Sequence, residues 1–336
     1  MAERILPLAY DEFTVGDETR DYTDLGNAWY YNCGGDMVAA EKGAVITVYK
    51  DAPVYNYEMS MTGYTSVTNE SYFPVIRGVS PALENMPVWF LDDSFNTLWL
   101  RESPNARVYD LAVIGVNEND AYNLNQTFFL IEDGATAVGL YISVQDYREN
   151  ANVTQMTPYV GESTFIACVA YDLQLTQAGA YIFCFSQNDG TANLKNCTFR
   201  NQNSPLNSVG VLGTDIGTNV INATNLLLQN NALDFYEATG YGGSLVINKA
   251  GNKTTGASFG GLGFNTLFDL TGGVAGTVSE DFFGNVVPPG SDFVGATYTG
   301  TEPPEPGGAD GARFIKKQFE PVRFCKIEFK QRNFKE

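Results

Sequence analysis

The feature that most restricts the folds open to this chain is a repeat. Asn196-Cys-Thr-Phe-Arg-Asn-Gln-Asn203 superposes on Asn225-Leu-Leu-Leu-Gln-Asn-Asn231 at an offset of 29, matching Asn196 with Asn225, Phe199 with Leu228 and Asn201 with Asn230. The same offset backwards places Cys168 under Cys197 and Asp172 under Asn201. An apolar run followed by Asn at a bend, with a period in the twenties, suits a coiled parallel sheet. Like side chains then stack rung on rung inside, and Asn tolerates the left-handed bend while its amide bonds the next rung. Short apolar runs at 108–116, 128–131, 138–144, 165–170, 180–185, 194–199, 209–212, 225–228 and 244–247 alternate with Gly, Asn, Asp and Ser clusters. Hardly any stretch keeps a helical period, so the alternation fits a sandwich, a barrel or a solenoid. The repeat favours the solenoid.

Composition agrees and excludes several chemistries. Only 18% of the 336 residues are charged, while 34 Gly, 22 Phe and 19 Tyr favour strands and turns over amphipathic helices. There is no histidine, which removes Ser-His-Asp and Cys-His sites, H-E-x-x-H metal helices and imidazole general bases. Catalysis would have to rest on carboxylates, Lys, Arg or Tyr. A formal charge of −19 argues against nucleic acid or an anionic membrane as a general partner. Cys33, Cys168, Cys184, Cys197 and Cys325 form no C-x-x-C pair, and their odd number does not suggest a disulfide framework, so they are expected as reduced core residues. The first residues lack the basic and apolar regions of a signal peptide, and no stretch is apolar for long enough to span a bilayer, so neither classical secretion nor a membrane span is expected. The N-x-[ST] sequons, such as Asn125-Gln-Thr127, then reflect an Asn- and Thr-rich β composition.

The C-terminal part reads differently. Thr301-Glu-Pro-Pro-Glu-Pro-Gly-Gly-Ala-Asp-Gly311 is a Pro/Gly linker that cannot sustain a ladder or a helix interior. Beyond it, eight basic residues against three acidic ones give residues 312–336 a local charge of +5, leaving −24 on the rest. Phe314, Phe319, Phe324, Phe329 and Phe334 recur there at every fifth position. We expect a docking arm formed by Arg313, Lys316, Lys317, Phe319, Arg323, Phe324, Lys326, Phe329, Lys330 and Arg332, seated on a neighbouring subunit or folded back on the acidic body. The expected organisation is an N-terminal cap or arm at 1–20, a solenoid at 21–298, a linker at 299–311 and the basic arm at 312–336.

Several segments resemble a family. Arg20-Asp-Tyr-Thr-Asp-Leu-Gly26, Gly34-Gly-Asp-Met-Val-Ala39, and Met61-Thr-Gly-Tyr-Thr-Ser66 followed by Tyr72-Phe-Pro-Val-Ile-Arg77 look like the entry rungs of right-handed parallel β-helix proteins. This is the pectin-lyase-like superfamily common in bacteriophage particles and on bacterial surfaces. Asp281-Phe-Phe-Gly-Asn-Val-Val-Pro288 and Ser291-Asp-Phe-Val-Gly-Ala296 resemble its exit motif, with Phe293-Val294 where the family favours Ile. The resemblance covers residues 20–298 and implies an all-β, single-stranded right-handed parallel β-helix with a short C-terminal extension. At roughly 22–29 residues per turn that is about ten to twelve rungs.

Enzymes on this scaffold use carboxylates on neighbouring rungs, either across a glycosidic bond or, with calcium, beside a uronate. The candidates are Asp92 and Asp93, Glu118 and Asp120, Glu132 and Asp133, Asp146 and Glu149, Asp172, Asp215, and Asp234 with Glu237. A uronate lyase would also want a basic cluster, yet 108–298 hold only Arg148, Lys195, Arg200, Lys249 and Lys253. Tyr30, Tyr31, Tyr55, Tyr57, Trp89, Phe90, Trp99, Tyr236 and Tyr241 are candidates for stacking on sugars or filling an interface, or for core packing. Gly261-Leu-Gly263 lacks the third glycine of a dinucleotide fingerprint and Gly251-Asn-Lys-Thr254 breaks P-loop spacing. No catalytic residue, metal or cofactor is therefore assigned. The expected role is that of a structural, non-enzymatic component of a phage-like virion, a head decoration or tail-spike protein assembled in the host cytoplasm. Its expected partners are other capsid or tail proteins, host surface polysaccharide and further copies of itself in a homo-oligomer such as a trimer. The alternative is a carboxylate-based polysaccharide hydrolase or lyase on the same scaffold.

Overall fold

In the strand Gly161–Ile166 side chains alternate with period two: Ser163 and Phe165 are fully buried while Glu162 is exposed. That strand is one of nine forming the first sheet, in the order Tyr10–Val15, Gly43–Val48, Pro74–Gly78, Arg107–Tyr109, Thr136–Val138, Gly161–Ile166, Gly190–Lys195, Thr218–Thr224 and Ser244–Ala250. The computed structural model describes residues 4–50, 59–60, 66–82, 86–92, 98–100, 104–116, 126–131, 134–145, 153–158, 161–170, 180–185, 189–200, 209–229, 233–238, 242–250 and 253–254.

Every strand of the first sheet pairs in parallel with the next, so the chain must leave the sheet and return between them. It does so through a second sheet of seven strands, which includes Ala112–Val116, Tyr141–Gln145, Val169–Ala170, Thr198–Arg200 and Leu227–Gln229, and a third of seven, which includes Ala180–Phe185, Val209–Thr214 and Leu233–Ala238. The fold is an all-β parallel β-helix. Its step varies along the chain: it is longest where Tyr10 pairs with Gly43, 29 from Asn193 to Asn222 and shortest, 26, from Asn222 to Asn248. The first three steps, Tyr10 to Gly43, Ala44 to Pro74 and Val75 to Arg107, exceed the expected range. The first ladder strand, Tyr10–Val15, lies inside the segment expected to be a cap or arm.

The interior is a set of columns. Val108, Ala137, Phe165, Leu194 and Ala223 follow one another across the first sheet, and Val113, Ile142, Ala170, Phe199 and Leu228 across the second. All belong to one buried cluster, joined from the third sheet by Val211 and Phe235. The small Ala137 beside Phe165 lets successive layers interdigitate. Burying each large member contributes roughly 2–3 kcal/mol. At the N-terminal end the helix Leu25–Asn32 adds Leu25, Ala28 and Trp29 to this cluster, and Asp24 caps it by accepting the Asn27 N–H at 2.7 Å.

The corner between the first and second sheets explains the repeat. Asp110, Gly139, Ala167, Asn196 and Asn225 hold φ of 56°, 69°, 52°, 54° and 52°. The bend N–H donates to the last first-sheet carbonyl of the following rung: Gly139 to Ile166, Ala167 to Lys195 and Asn196 to Thr224, at 2.9–3.0 Å. The next residue turns inward, giving a buried column of Leu111, Leu140, Cys168, Cys197 and Leu226. The superposition of Asn196 on Asn225 is a direct contact, the Asn225 Nδ2 donating to Asn196 Oδ1 at 3.1 Å. Phe199 pairs with Leu228; Asn201, Asn230 and Asp172 lie outside the described residues. The runs at 108–116, 138–144, 165–170 and 194–199 each read as one strand in the sequence. Each is two strands on different sheets, broken at Asp110, Gly139, Ala167 or Asn196.

Candidate functional site

The outward residues of the first sheet form two central columns. One runs Glu12, Val45, Val75, Arg107, Thr136, Thr164, Asn193, Asn222, Asn248; the other runs Thr14, Thr47, Arg77, Tyr109, Val138, Ile166, Lys195, Thr224. The face changes character half-way. In the early rungs Val45, Val75, Tyr109 and Val138 point away from the core yet are at most 2% exposed, because residues 4–9 are laid across them.

That strap is fastened at several points. Gly43 N–H donates to Ala9 O at 2.8 Å and Leu8 N–H to Ser71 O at 3.0 Å. Gly43 must be glycine for the strap to lie flat: a Cβ there would sit 2.6 Å from Pro7 and from the Phe73 carbonyl. Leu6 and Tyr10 pack on Val45, Phe73, Val75, Tyr109 and Val138. The Tyr109 hydroxyl donates to Ile5 O at 2.6 Å, and burial pushes that phenol up to about 12. At the far end Arg4 grips Asp110 with both arms of its guanidinium, Nε to Oδ2 at 2.6 Å and Nη2 to Oδ1 at 2.5 Å. Burial raises the Asp110 carboxyl above its ordinary value, and Arg4 pulls it back.

Where the strap ends the face turns polar, with Asn193 and Asn222 half-buried and Asn248 exposed. Asn248 Nδ2 donates to Asn222 Oδ1 at 2.8 Å, Asn222 Nδ2 to Asn193 Oδ1 at 2.9 Å, and Asn193 Nδ2 to Glu162 Oε1 at 2.8 Å and Thr164 Oγ1 at 3.3 Å. All three amides therefore point the same way, in a chain that terminates on a carboxylate. Each keeps a second N–H and a carbonyl lone pair for an outside partner. Beside the ladder run Glu162, Thr191, Val220 and Val246 on one flank and Ile166, Lys195 and Thr224 on the other. This flat strip is the candidate binding face.

No protein-family model matches the chain, and no curated protein or solved structure does.

Of the expected acids, Asp215 and Asp234 are the two whose side chains are described, and these two are not brought together. Asp234 is fully buried near the start of Leu233–Ala238, and Asp215, also buried, follows the end of the neighbouring strand Val209–Thr214, so the two sit at opposite ends of adjacent strands. Asp92 and Glu237 lie in strands; Asp93, Glu118, Asp120, Glu132, Asp133, Asp146, Glu149 and Asp172 fall outside the described residues, as do the docking arm and the exit motif. Among the described residues no group of three or more His, Cys, Asp or Glu is placed to hold a metal, and no helix is long and apolar enough to cross a membrane. Tyr30 and Tyr31 are exposed, 47% and 69%, and meet edge to face at 4.9 Å; Trp89, Phe90, Trp99 and Tyr236 lie in strands, and Tyr55, Tyr57 and Tyr241 lie outside the described residues. Cys33, Cys168 and Cys197 are buried free thiols, as expected, and burial raises the Cys33 and Cys197 thiols well above their ordinary value.

The amide ladder and the strap escaped the sequence reading. Asn193 and Asn222 are separated by 29, the offset that linked Asn196 to Asn225, so the signal was present. Nothing in Arg4 or Asp110 announces their pairing across 106 positions.

Proposed function

We propose that the chain is a structural, non-enzymatic component of a phage-like virion, a β-helical rod of the head-decoration or tail-spike kind related to the pectin-lyase-like superfamily. The observation that carries this reading is the register-locked stack of apolar columns, in which burial raises the Cys197 thiol and keeps it in its unreactive form. Such an interior serves rigidity, and the polar strip of the first sheet serves contact. The contrast between an acidic body and a basic C-terminal segment supports docking: Arg313, Lys316, Lys317, Arg323, Lys326, Lys330 and Arg332 engage an acidic neighbour in the particle while the body stays soluble.

The test is incorporation into particles. Particles are purified from cells producing either the full chain or a chain lacking residues 312–336, and their protein content is read by mass spectrometry. The reading expects the full chain in the particles and the shortened chain left behind in solution with an unchanged far-ultraviolet dichroism spectrum. Absence of the full chain from particles overturns the virion role, and equal incorporation of both overturns the docking arm.

A further inference from the structure

We infer that Cys168 and Cys197 form a redox-responsive modification site: under peroxide the two stacked thiols close to a disulfide that ties one rung of the solenoid covalently to the next. The inference rests on the register of the rungs and stands apart from the virion reading.

The first argument is register. Cys168 and Cys197 each follow the left-handed residue of their corner, Ala167 and Asn196. Ile166 pairs with Lys195 on one side of that corner and Val169 with Thr198 on the other, and the Thr198 N–H donates to Cys168 O at 3.0 Å. The two cysteines are therefore direct neighbours along the solenoid axis. Their Cα atoms stand about 4.8 Å apart, inside the range that a disulfide spans.

Side-chain direction is the second. The Cys168 thiol donates to Ile166 O at 3.5 Å on its own rung and to Ala137 O at 3.7 Å on the rung before. The Cys197 thiol donates in the same way, to Lys195 O at 3.4 Å and to Phe165 O at 3.6 Å. Ala137 and Phe165 are themselves partners, so one thiol repeats the other, moved along by a rung. Burial raises the Cys197 thiol, and the neighbouring Cys168 sulfur raises it further. Closing the pair forfeits only weak S–H donations. Like-facing Cβ atoms keep roughly the rung spacing, against about 3.8 Å in a relaxed disulfide, so the corner must draw in by about 1 Å. A bond under that strain forms when oxidant is present and yields to reductant, which is the behaviour of a switch and not of a permanent brace.

Isolation supplies the third. Leu140 and Leu226 flank the pair in the buried column, and Cys33, the other described free thiol, lies at the C-cap of Leu25–Asn32. Burial slows the reaction, since a reagent enters only as the corner opens, and peroxide is small. One cysteine, as its thiolate, attacks a peroxide oxygen; the O–O bond breaks, hydroxide leaves and takes up the thiol's proton as water, and the cysteine becomes a sulfenic acid. The second sulfur then attacks the first, the S–O bond breaks, and the oxygen leaves as water with the second thiol's proton. The two thiols give up two electrons and the peroxide accepts them.

The test treats the folded, reduced full chain with hydrogen peroxide, alkylates the remaining thiols and maps the peptides by mass spectrometry. The expected result is a linked Cys168–Cys197 peptide two hydrogen atoms lighter than the reduced pair, restored by dithiothreitol, with a higher urea midpoint for the linked chain. C197A and C168A each leave one thiol without its partner, so the sulfenic acid trapped by dimedone at the surviving cysteine rises about tenfold or more over the wild type. The wild-type map needs neither variant to fold. Thiols at 168 and 197 that stay reduced until the chain unfolds, that pass to sulfinic acid unlinked, or that link in preference to Cys33, Cys184 or Cys325 overturn the inference. An unchanged or lower urea midpoint in the linked chain overturns the disulfide as a tie between rungs.

Discussion

Replacing Arg4 by Met tests whether the strap is held by one charged clamp. Asp110 is a side chain only 5% exposed, and Arg4, at 24%, supplies two short bonds to its two oxygens. Removing the guanidinium leaves a buried carboxylate without its counter-ion, a change that costs about 3–5 kcal/mol when a pair is fully desolvated. The partial exposure of Arg4 places the expected loss near the lower bound, about 3 kcal/mol. Neutralising both partners should cost far less. In R4M/D110N the Asn still tolerates the left-handed backbone of position 110, so the double variant should lie within about 1 kcal/mol of the wild type.

The pH dependence has a definite sign. Burial holds the folded Asp110 carboxyl above its ordinary value, and losing Arg4 raises it further. A raised carboxyl adds stability below its unfolded value and loses it as pH rises through the folded value. The R4M penalty is therefore largest near neutrality and shrinks as Asp110 takes up its proton in acid. Urea unfolding of the four corners of the cycle at neutral and acidic pH measures this, and exchange of the Gly43 amide proton, bonded to Ala9 O, reports the strap itself. An R4M variant within about 0.5 kcal/mol of wild type at neutral pH, or a double variant as unstable as R4M, would refute the reasoning.

Three further perturbations follow from the same geometry. Ala167 occupies the left-handed corner at φ 52° between Gly139 and Asn196, so Ala167→Asn should relieve strain and extend the amide stack, adding about 1 kcal/mol; a lower melting temperature than wild type would contradict this. Phe165→Ala opens a hole in a fully buried column and should cost about 3–5 kcal/mol in denaturant unfolding, whereas a loss below about 1 kcal/mol would mean that the column is loosely packed. Glu12 is held below its ordinary value chiefly by the Thr47 hydroxyl and further by Arg77, so its contribution is present above the ordinary carboxylate range and lost as pH falls through the folded value. Thr47→Val should move the Glu12 titration, followed by carbon-detected NMR, back upwards; no movement would show that the hydroxyl is not the cause.

The parts of the fold visible in the sequence are those where neighbouring rungs repeat a side chain. Asn196 over Asn225 and Cys168 over Cys197 gave both the period and the parallel coiling, because stacking demands similar groups at equal steps. The corners were less legible. Asp110, Gly139, Ala167 and Asn196 hold the same conformation with four different residues, and Ala167 carries no turn signal at all, so apolar runs crossing the corner look continuous. The first step, from Tyr10 to Gly43, is also longer than the later ones, which hid Tyr10–Val15 from a search for a constant offset. The strap was invisible because its partners are distant: outward Val45, Val75 and Val138 read as ordinary strand residues until residues 4–9 are laid over them. For the candidate face, the Asn193–Asn222 spacing was readable, but the end of the strap was not, since it depends on where the N-terminal segment ends its path.

Register is the point on which every later step stands, and engineered cross-linking measures it directly. Asn193 and Asn222 are partners on adjacent rungs, with Cα atoms about 4.8 Å apart, inside the range a disulfide spans. In a background with the native cysteines replaced by Ser or Ala, Cys at 193 and 222 should close to a disulfide under mild oxidation, the oxidant taking up two electrons, read as a loss of two hydrogen atoms by mass spectrometry. Cys at 193 and 220, where the second position is out of register, should close far more slowly. Preferential closure of the offset pair, or of neither, would contradict the stack.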